Sequence, residues 1–313
     1  MSDISIIVVN WNTRDLLRAC LKSIDKNKGF LDVQTIVVDN NSEDNSQDMV
    51  KQEFPQVFLI ENKENVGFAK ANNQAIPLCT SDNIMLLNSD AEILDDALQI
   101  LSSYLNRHAL VGAIGPKVIH PSMRLQVLSC GNQPTIRTMF NQYFFVSRIF
   151  PRWQLFEGIN LLMGIHDDGP RSVEWLSGVC FLVRKSVINS VGAMSTDWFM
   201  YAEDLEWSLR IKSAGWELHH VPEAEVDHHF GASTSKNNSV KTMWVPNMLD
   251  YYKKTQNPNG LQIWIFNSVF FVGLSTRALM YKIRSILDVK NKAMWSEEVR
   301  KFRAYSKAAF ENF

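Results

Sequence analysis

The sequence predicts an α/β fold built on a mostly parallel central sheet flanked by helices, with a C-terminal helical extension. Three observations carry this expectation. Continuous β-branched runs alternate with helical periodicity through the first third of the chain. Carboxylates and amides stand just past the C-terminal ends of the expected strands. After residue 260 an uncharged apolar stretch is followed closely by basic residues.

Taken in order, Ile4 to Val9 is a β-branched run interrupted only by Ser5, as expected for a strand buried on both faces. Leu16, Leu17, Cys20, Leu21 and Ile24 then repeat at helical spacing, with Asn12 or Thr13 placed to cap the helix. A second strand, Val33 to Val38, ends in Asp39, and Ser42 stands as the expected cap of a short polar helix. Val57 to Ile60 reads as strand, Gly67 to Leu78 as helix, and Ile84 to Leu87 as a fourth strand running into Asn88-Ser89-Asp90. Ligands of open α/β sheets bind in the crevice outside the carboxyl ends of the strands, so Asp39 and Asp90 are expected to face one site. Residues 116–172 carry five prolines and little period, and read as an insertion around the sheet edge. Trp175 to Val183 reads as strand, turn and strand about Ser177-Gly178, and Glu203 to Ala214 as a helix stopped by Gly215.

The 313 residues are 46% hydrophobic and 21% charged, which excludes disordered and collagen-like chains. With 32 Lys and Arg against 33 Asp and Glu, the chain lacks the cationic field of a general nucleic-acid binder. Four scattered cysteines form no C-x-x-C pair, which reads as a reducing compartment, and Met1 to Ile7 shows no export signal. Leu261 to Thr276 is uncharged, with Lys282, Arg284, Lys290 and Lys292 close behind. Extending it to spanning length takes in Arg277, so an interfacial helix meeting anionic lipid fits better; the alternative is packing on the catalytic domain or a second subunit.

Local chemistry leaves several readings open. Asp39, with Asn40, Asn41 and Ser42, suits either a ligand contact or a turn and cap. Asn65-x-Gly67 opens a helix where free N–H groups suit a nucleotide, although Gly67 also serves as a turn residue. Glu203-Asp204 sits where the helix dipole favours acids of any role. Trp175, Trp198, Phe199 and Tyr201 stack on sugars or fill a core.

The ordered set VVNWN, VVDNNS, ENVGFAKANN, NSD, YAEDLEWSLR and V-D-H-H-x-G-x-S, spanning about Ile4 to Ser233, resembles the family 2 glycosyltransferases of the GT-A, Rossmann-like fold. It is most similar to the rhamnosyltransferase-like branch that builds bacterial surface polysaccharides. The resemblance implies an inverting transfer of a sugar, with rhamnose the best guess, from a nucleotide-diphosphate donor to a hydroxyl of a lipid-linked saccharide or other oligosaccharide acceptor. It implies a peripheral enzyme of cell-envelope synthesis, at the cytoplasmic face of the membrane. Residues 1–115 would form the nucleotide-sugar-binding half, 116–240 the acceptor-binding and catalytic half, and 241–313 the membrane- or subunit-contacting extension. Asn10, Asp39, Asn41, Asn65, Gly67, Asn72 and Asp90 would bind the donor. Asp90, in an N-x-D form of the D-x-D motif, and His228 would hold Mn²⁺ or Mg²⁺. Asp204 would be the general base, with Glu203, Trp175 and Trp198 on the acceptor side. Arg210 is expected to pair with the neighbouring carboxylates, and His229 competes with His228. Two rivals remain: a catalytically silent nucleotide-sugar-binding or scaffold protein, and a nucleotidyltransferase, whose Gly-rich basic phosphate loop is not matched by VVNWNTRD.

Overall fold

The computed structural model of the chain describes residues 2–120, 129–162, 165–166, 168–229 and 242–313. The elements run β1 (Ile4–Asn10), α1 (Arg14–Asn27), β2 (Val33–Asp39), α2 (Ser46–Glu53), β3 (Phe58–Glu61), α3 (Phe68–Ala75), β4 (Asn83–Asn88), β5 (Ala91–Ile93), α4 (Ala97–Arg107), β6 (Val111–Ile119) and β7 (Cys130–Gly131). They continue with α5 (Ile136–Tyr143), α6 (Val146–Ile149), β8 (Arg171–Val173), β9 (Trp175–Leu176), β10 (Cys180–Arg184), α7 (Lys185–Val191), α8 (Glu203–Ser213), β11 (Glu217–His228), α9 (Trp244–Gln256), α10 (Gly260–Leu287) and α11 (Lys292–Phe310).

These elements form two compact units, one from Met1–Gly131 with His166–Lys236, the other from Asn132–Ile165 with Asn237–Phe313. The first unit holds most of both 1–115 and 116–240, which were expected as halves of one domain, while the stretch 132–165 belongs with the C-terminal helices.

The first unit holds a sheet in the order β3-β2-β1-β4-β10-β6-β11-β5, with β8 added on β11. Strands β1 to β4 are mutually parallel, joined by crossover helices as the alternating periodicity required. Strand β10 enters antiparallel between β4 and β6, and β11 lies parallel to β6. Ile4, Ile6, Val8, Leu17, Cys20, Val37, Met85, Leu87 and Leu101 share one core cluster, so the apolar runs of strands and helices meet as their periods dictate.

Three local expectations need correction. Pro116 lies inside β6, a central strand, so the edge insertion does not begin there. Its missing N–H falls where both ladders are interrupted: β10 pairs only with Ala113 and Ile114, and the β11 pairing shifts register directly after Val221, the partner of Pro116. Ser42 does not cap α2, whose first turn follows Asn45 in the left-handed region; the Ser42 hydroxyl donates to Asp39 instead. Thr13 does precede α1, but its hydroxyl bonds Asn10 and Ser89 rather than the helix N–H groups.

The second unit is helical. In α10, Phe266, Asn267, Phe270, Gly273, Leu274 and Ala278 are buried, packed on α11 and α5. Helix α10 is long and apolar enough to cross a membrane by length and composition, with one third of its most apolar window buried.

Candidate functional site

The parallel strands deliver their C-terminal residues side by side. Asn10 ends β1 opposite Asp39 at the end of β2, and Val9 in β1 pairs with Asn88 at the end of β4. The chain continues from each strand end into polar residues.

Asp39 is almost completely buried and its carboxylate is saturated. Oδ1 accepts from the Ser42 N–H at 2.8 Å and Gln47 Nε2 at 2.7 Å, and Oδ2 accepts from Asn10 Nδ2 at 2.7 Å and the Ser42 hydroxyl at 2.7 Å. A carboxylate offers about four lone-pair sites, so every one is used. The turn-forming role is therefore realised here, with Asn10 as a positioning partner. Asn41 is exposed with φ 63°.

Asn65 Oδ1 accepts the Gly67 N–H at 3.0 Å and Asn40 Nδ2 at 3.2 Å, which ties the entry of α3 to the end of β2. Gly67 has φ 87° and ψ 178°, and a Cβ there would stand 2.5 Å from the Phe199 carbonyl oxygen. That carbonyl accepts the Phe68 N–H at 3.1 Å, so the loop before α8 is seated directly on the start of α3. Asn72 is buried and donates to the Phe68 carbonyl at 3.0 Å, turned onto its own helix rather than into the crevice.

Asp90 and His228 meet. The antiparallel pairing of β5 with β11 sets His228 opposite Ala91, which brings His228 Nε2 to 3.0 Å from Asp90 Oδ1. Both side chains are buried, and Asn88 Nδ2 lies 3.4 Å from the same imidazole nitrogen. His229, its neighbour, points elsewhere and meets Glu92 at 2.9 Å. Gly231 and Ser233 of the same motif lie outside the described residues.

Glu203 and Asp204 open α8 just after Tyr201 and Ala202, both with left-handed φ of 71° and 78°. Non-glycine residues in that region cost energy and cluster at functional sites. Asp204 Oδ2 accepts the Gly178 N–H at 3.1 Å and Oδ1 accepts the Leu205 N–H at 2.9 Å. The adjacent Val179 carbonyl accepts the Asn88 N–H at 2.9 Å, so Asp204 is anchored beside the end of β4. Burial raises the Asp204 carboxyl above its ordinary range, against the opposing pull of those N–H groups. Glu203 is buried and pushed up to about 8 by desolvation and by the negative charge of Asp204, and its Oε2 has no hydrogen-bond partner among the described residues. Both carboxyls of the pair are thus shifted upward, Glu203 by burial and by the charge of its neighbour and Asp204 by burial.

A family model described as glycosyl transferase family 2 matches residues 5–189, more than half of the chain. The chain is a family 2 glycosyltransferase.

Relatives agree with this membership. This glycosyltransferase is 28% identical over 217 residues to an N-acetylglucosaminyl-diphospho-decaprenol L-rhamnosyltransferase of Mycobacterium tuberculosis, covering 65% of this chain and 69% of the relative. It is 22% identical to a low-salt glycan biosynthesis hexosyltransferase of Haloferax volcanii, covering 68% of this chain and 62% of that one. Among solved structures it is similar to a mannosyltransferase from Pyrobaculum calidifontis in complex with GDP-Man and Mn²⁺, with TM-score 0.58 and 15% identity over 99% of this chain and 87% of that one. The GT-A fold expected from the motifs is the fold found.

Among the other residues expected at the glycosyltransferase site, Arg210 pairs with a neighbouring carboxylate as expected, while the two tryptophans are buried. Trp175 and Trp198 are buried, at 7% and 6% exposure, and form packing rather than a displayed sugar-stacking wall. The exposed rings nearby in sequence are Phe199 and Tyr201, and the Phe199 carbonyl is held by the Phe68 N–H. Arg210 grips Glu206 through two bonds of 2.6 and 2.9 Å and also donates to the Val191 and Ala193 carbonyls, so it secures α8 and does not reach outward. Phe68 was given no role of its own in the sequence: its ring stands 2.9 Å from where a Cβ at Gly178 would be. Gln47 was likewise missed, since nothing in its local sequence marks it as an Asp39 partner.

Proposed function

We propose that the chain is an inverting transferase that moves a sugar, rhamnose by preference, from a nucleotide-diphosphate donor to a hydroxyl of a lipid-linked saccharide. The reaction serves bacterial surface polysaccharide synthesis at the cytoplasmic face of the membrane. The observation that carries this reading is the Asp90–His228 pair, two residues 138 apart in sequence joined at 3.0 Å beside the end of β4.

One carboxylate oxygen and one imidazole nitrogen form a donor set that fits Mn²⁺, which accepts imidazole more readily than Mg²⁺ does. Among the described residues no group of three or more ligating side chains gathers, so this pair would share the ion with diphosphate oxygens. A divalent ion held there supplies charge neutralisation to the leaving diphosphate. Asn65 and Gly67, at the entry of α3, receive the nucleotide. The saturated Asp39 accepts a base N–H only by exchanging a protein donor such as Gln47. Asp204 takes the proton from the acceptor hydroxyl as the new bond forms at the anomeric carbon. Its anchoring by the Gly178 and Leu205 N–H groups fixes the direction from which it does so. Glu203, protonated beside it, is positioned to donate a hydrogen bond to the acceptor. The preference for rhamnose and for a lipid-linked acceptor is supported by the rhamnosyltransferase relative.

The test is titration of purified protein with dTDP-rhamnose in a calorimeter, with and without Mn²⁺, for the parent chain and for Asp90→Ala. Donor affinity should depend on Mn²⁺ in the parent and lose that dependence in the variant. Turnover that persists unchanged in EDTA would remove the metal assignment. A panel of nucleotide sugars screened by thermal shift identifies the donor, since a ligand at 100 times its Kd adds about 2.7 kcal/mol of stability.

A further inference from the structure

The second unit carries a feature that transfer chemistry does not use. An open groove of about 580 Å³ runs between α10 and α11. Its apolar lining includes Phe271, Ala278, Leu279 and Phe310, while Lys282, Arg303 and Lys307 provide its charge. Ser275 and Ser306 bridge the two helices across it with hydroxyls 2.6 Å apart. All three cations are exposed, and among the described residues the one acid paired with them, Glu311, stands 3.7 Å from Lys307 on the surface. A groove lined by cations and no carboxylate calls for an anion, and its apolar lining calls for hydrocarbon.

The helix beside the groove presents matching chemistry. Leu261, Trp264, Val272, Leu279, Ile283 and Ile286 are all exposed. At 100° per residue they fall within an arc of roughly 100° on α10. The buried residues Phe266, Phe270, Gly273 and Leu274 occupy the opposite side, packed within the unit. The groove residues Phe271, Ser275, Ala278 and Lys282 run along the flank of the exposed arc. An apolar stripe with a cationic trough along its edge is the arrangement an interfacial helix uses to enter the headgroup region. A second copy of the chain docking by two-fold symmetry would bring these cations toward their own counterparts, which disfavours that occupant.

We propose that the groove between α10 and α11 is a binding site for an anionic phospholipid of the membrane, with the headgroup phosphate on Lys282, Arg303 and Lys307 and the adjoining hydrocarbon on Phe271, Leu279 and Phe310. This deepens the membrane part of the proposed function and does not depend on donor, metal or sugar.

The experiment is sedimentation of the full chain with vesicles of phosphatidylcholine alone and of an equal mixture with phosphatidylglycerol, circular dichroism confirming the fold of each variant. The parent should bind the anionic vesicles and release them as salt rises. Lys282→Gln/Arg303→Gln/Lys307→Gln should lose roughly a hundredfold in affinity, from about fivefold per cation near an anionic surface. Leu279→Glu, on the exposed stripe, should also weaken binding. Lys26→Gln/Lys28→Gln/Lys51→Gln, which removes equal charge from the first unit, should leave it unchanged. The proposal is overturned if the groove triple variant binds like the parent, if the control triple loses as much, if neutral vesicles bind equally well, or if the chain self-associates through this face and ignores vesicles. Donor hydrolysis by the same variants separates this outcome from the glycosyl-transfer reading, because it should be unaffected by all of them.

Discussion

Gly67→Ala tests how the fold holds the expected base in place. Gly67 sits at φ 87° and ψ 178°, a region that only glycine occupies comfortably. Forcing alanine there costs about 1–3 kcal/mol in backbone strain. The new Cβ would also lie 2.5 Å from the Phe199 carbonyl oxygen, about 1 Å inside an ordinary contact. Relieving that overlap costs about a further 1–3 kcal/mol of overpacking. The expected destabilisation is therefore about 2–6 kcal/mol, read from urea unfolding. The same displacement pushes residues 199–202, which lead directly into Glu203 and Asp204. A misplacement of about 1 Å can cost about 10² in rate, so turnover at saturating donor should fall by that order in the folded fraction. Gly215→Ala serves as the comparison: its φ is 89°, but nothing lies within 4 Å of the added methyl, so it isolates the torsional cost. Equal losses at the two glycines, or a Gly67→Ala chain within about 0.5 kcal/mol of the parent and with full turnover, would refute the argument.

Further outcomes follow from the same site. Asp204→Asn should reduce turnover by about 10² to 10⁴ while donor affinity stays near the parent value, checked by steady-state kinetics and calorimetry; near-normal transfer would remove Asp204 as base. Glu203, raised to about 8, binds its proton more tightly folded than unfolded, so its contribution is full at low pH and is lost as pH rises from the ordinary glutamate range towards 8. The slope approaches about 1.4 kcal/mol per pH unit in that window, and Glu203→Gln should flatten the stability profile measured by urea unfolding at several pH values; an unchanged profile would show that Glu203 is not the group responsible. Trp175→Ala, at a buried ring, should cost about 3–5 kcal/mol of stability, whereas Phe199→Ala, at a ring 46% exposed, should cost far less and affect mainly KM for the acceptor. The opposite ordering of these two would restore Trp175 as the displayed wall.

How much of this was legible beforehand depends on the range of the interaction. Strands β1 to β4 and their helices follow from local periodicity, and the carboxylates at the ends of β2 and β4 follow from where those runs stop. Pro116 misled because a proline argues against a central strand unless its neighbour ladders are interrupted, and those interruptions are properties of the pairing with β10 and β11. Trp175 and Trp198 misled because an aromatic side chain has the same sequence signature whether its face is covered or displayed.

By itself the sequence determined the α/β class, the order of its parts and the acids and amides at the strand ends, since each rests on residues close together in the chain. The tertiary structure decided what depends on distant segments meeting. It joined Asp90 to His228 by pairing β5 with β11, and it filled every acceptor site of Asp39. It buried Glu203 beside Asp204 and turned one side of α10 inward while leaving the other exposed. Burial and desolvation set what these groups can do, and both are produced by packing across the chain.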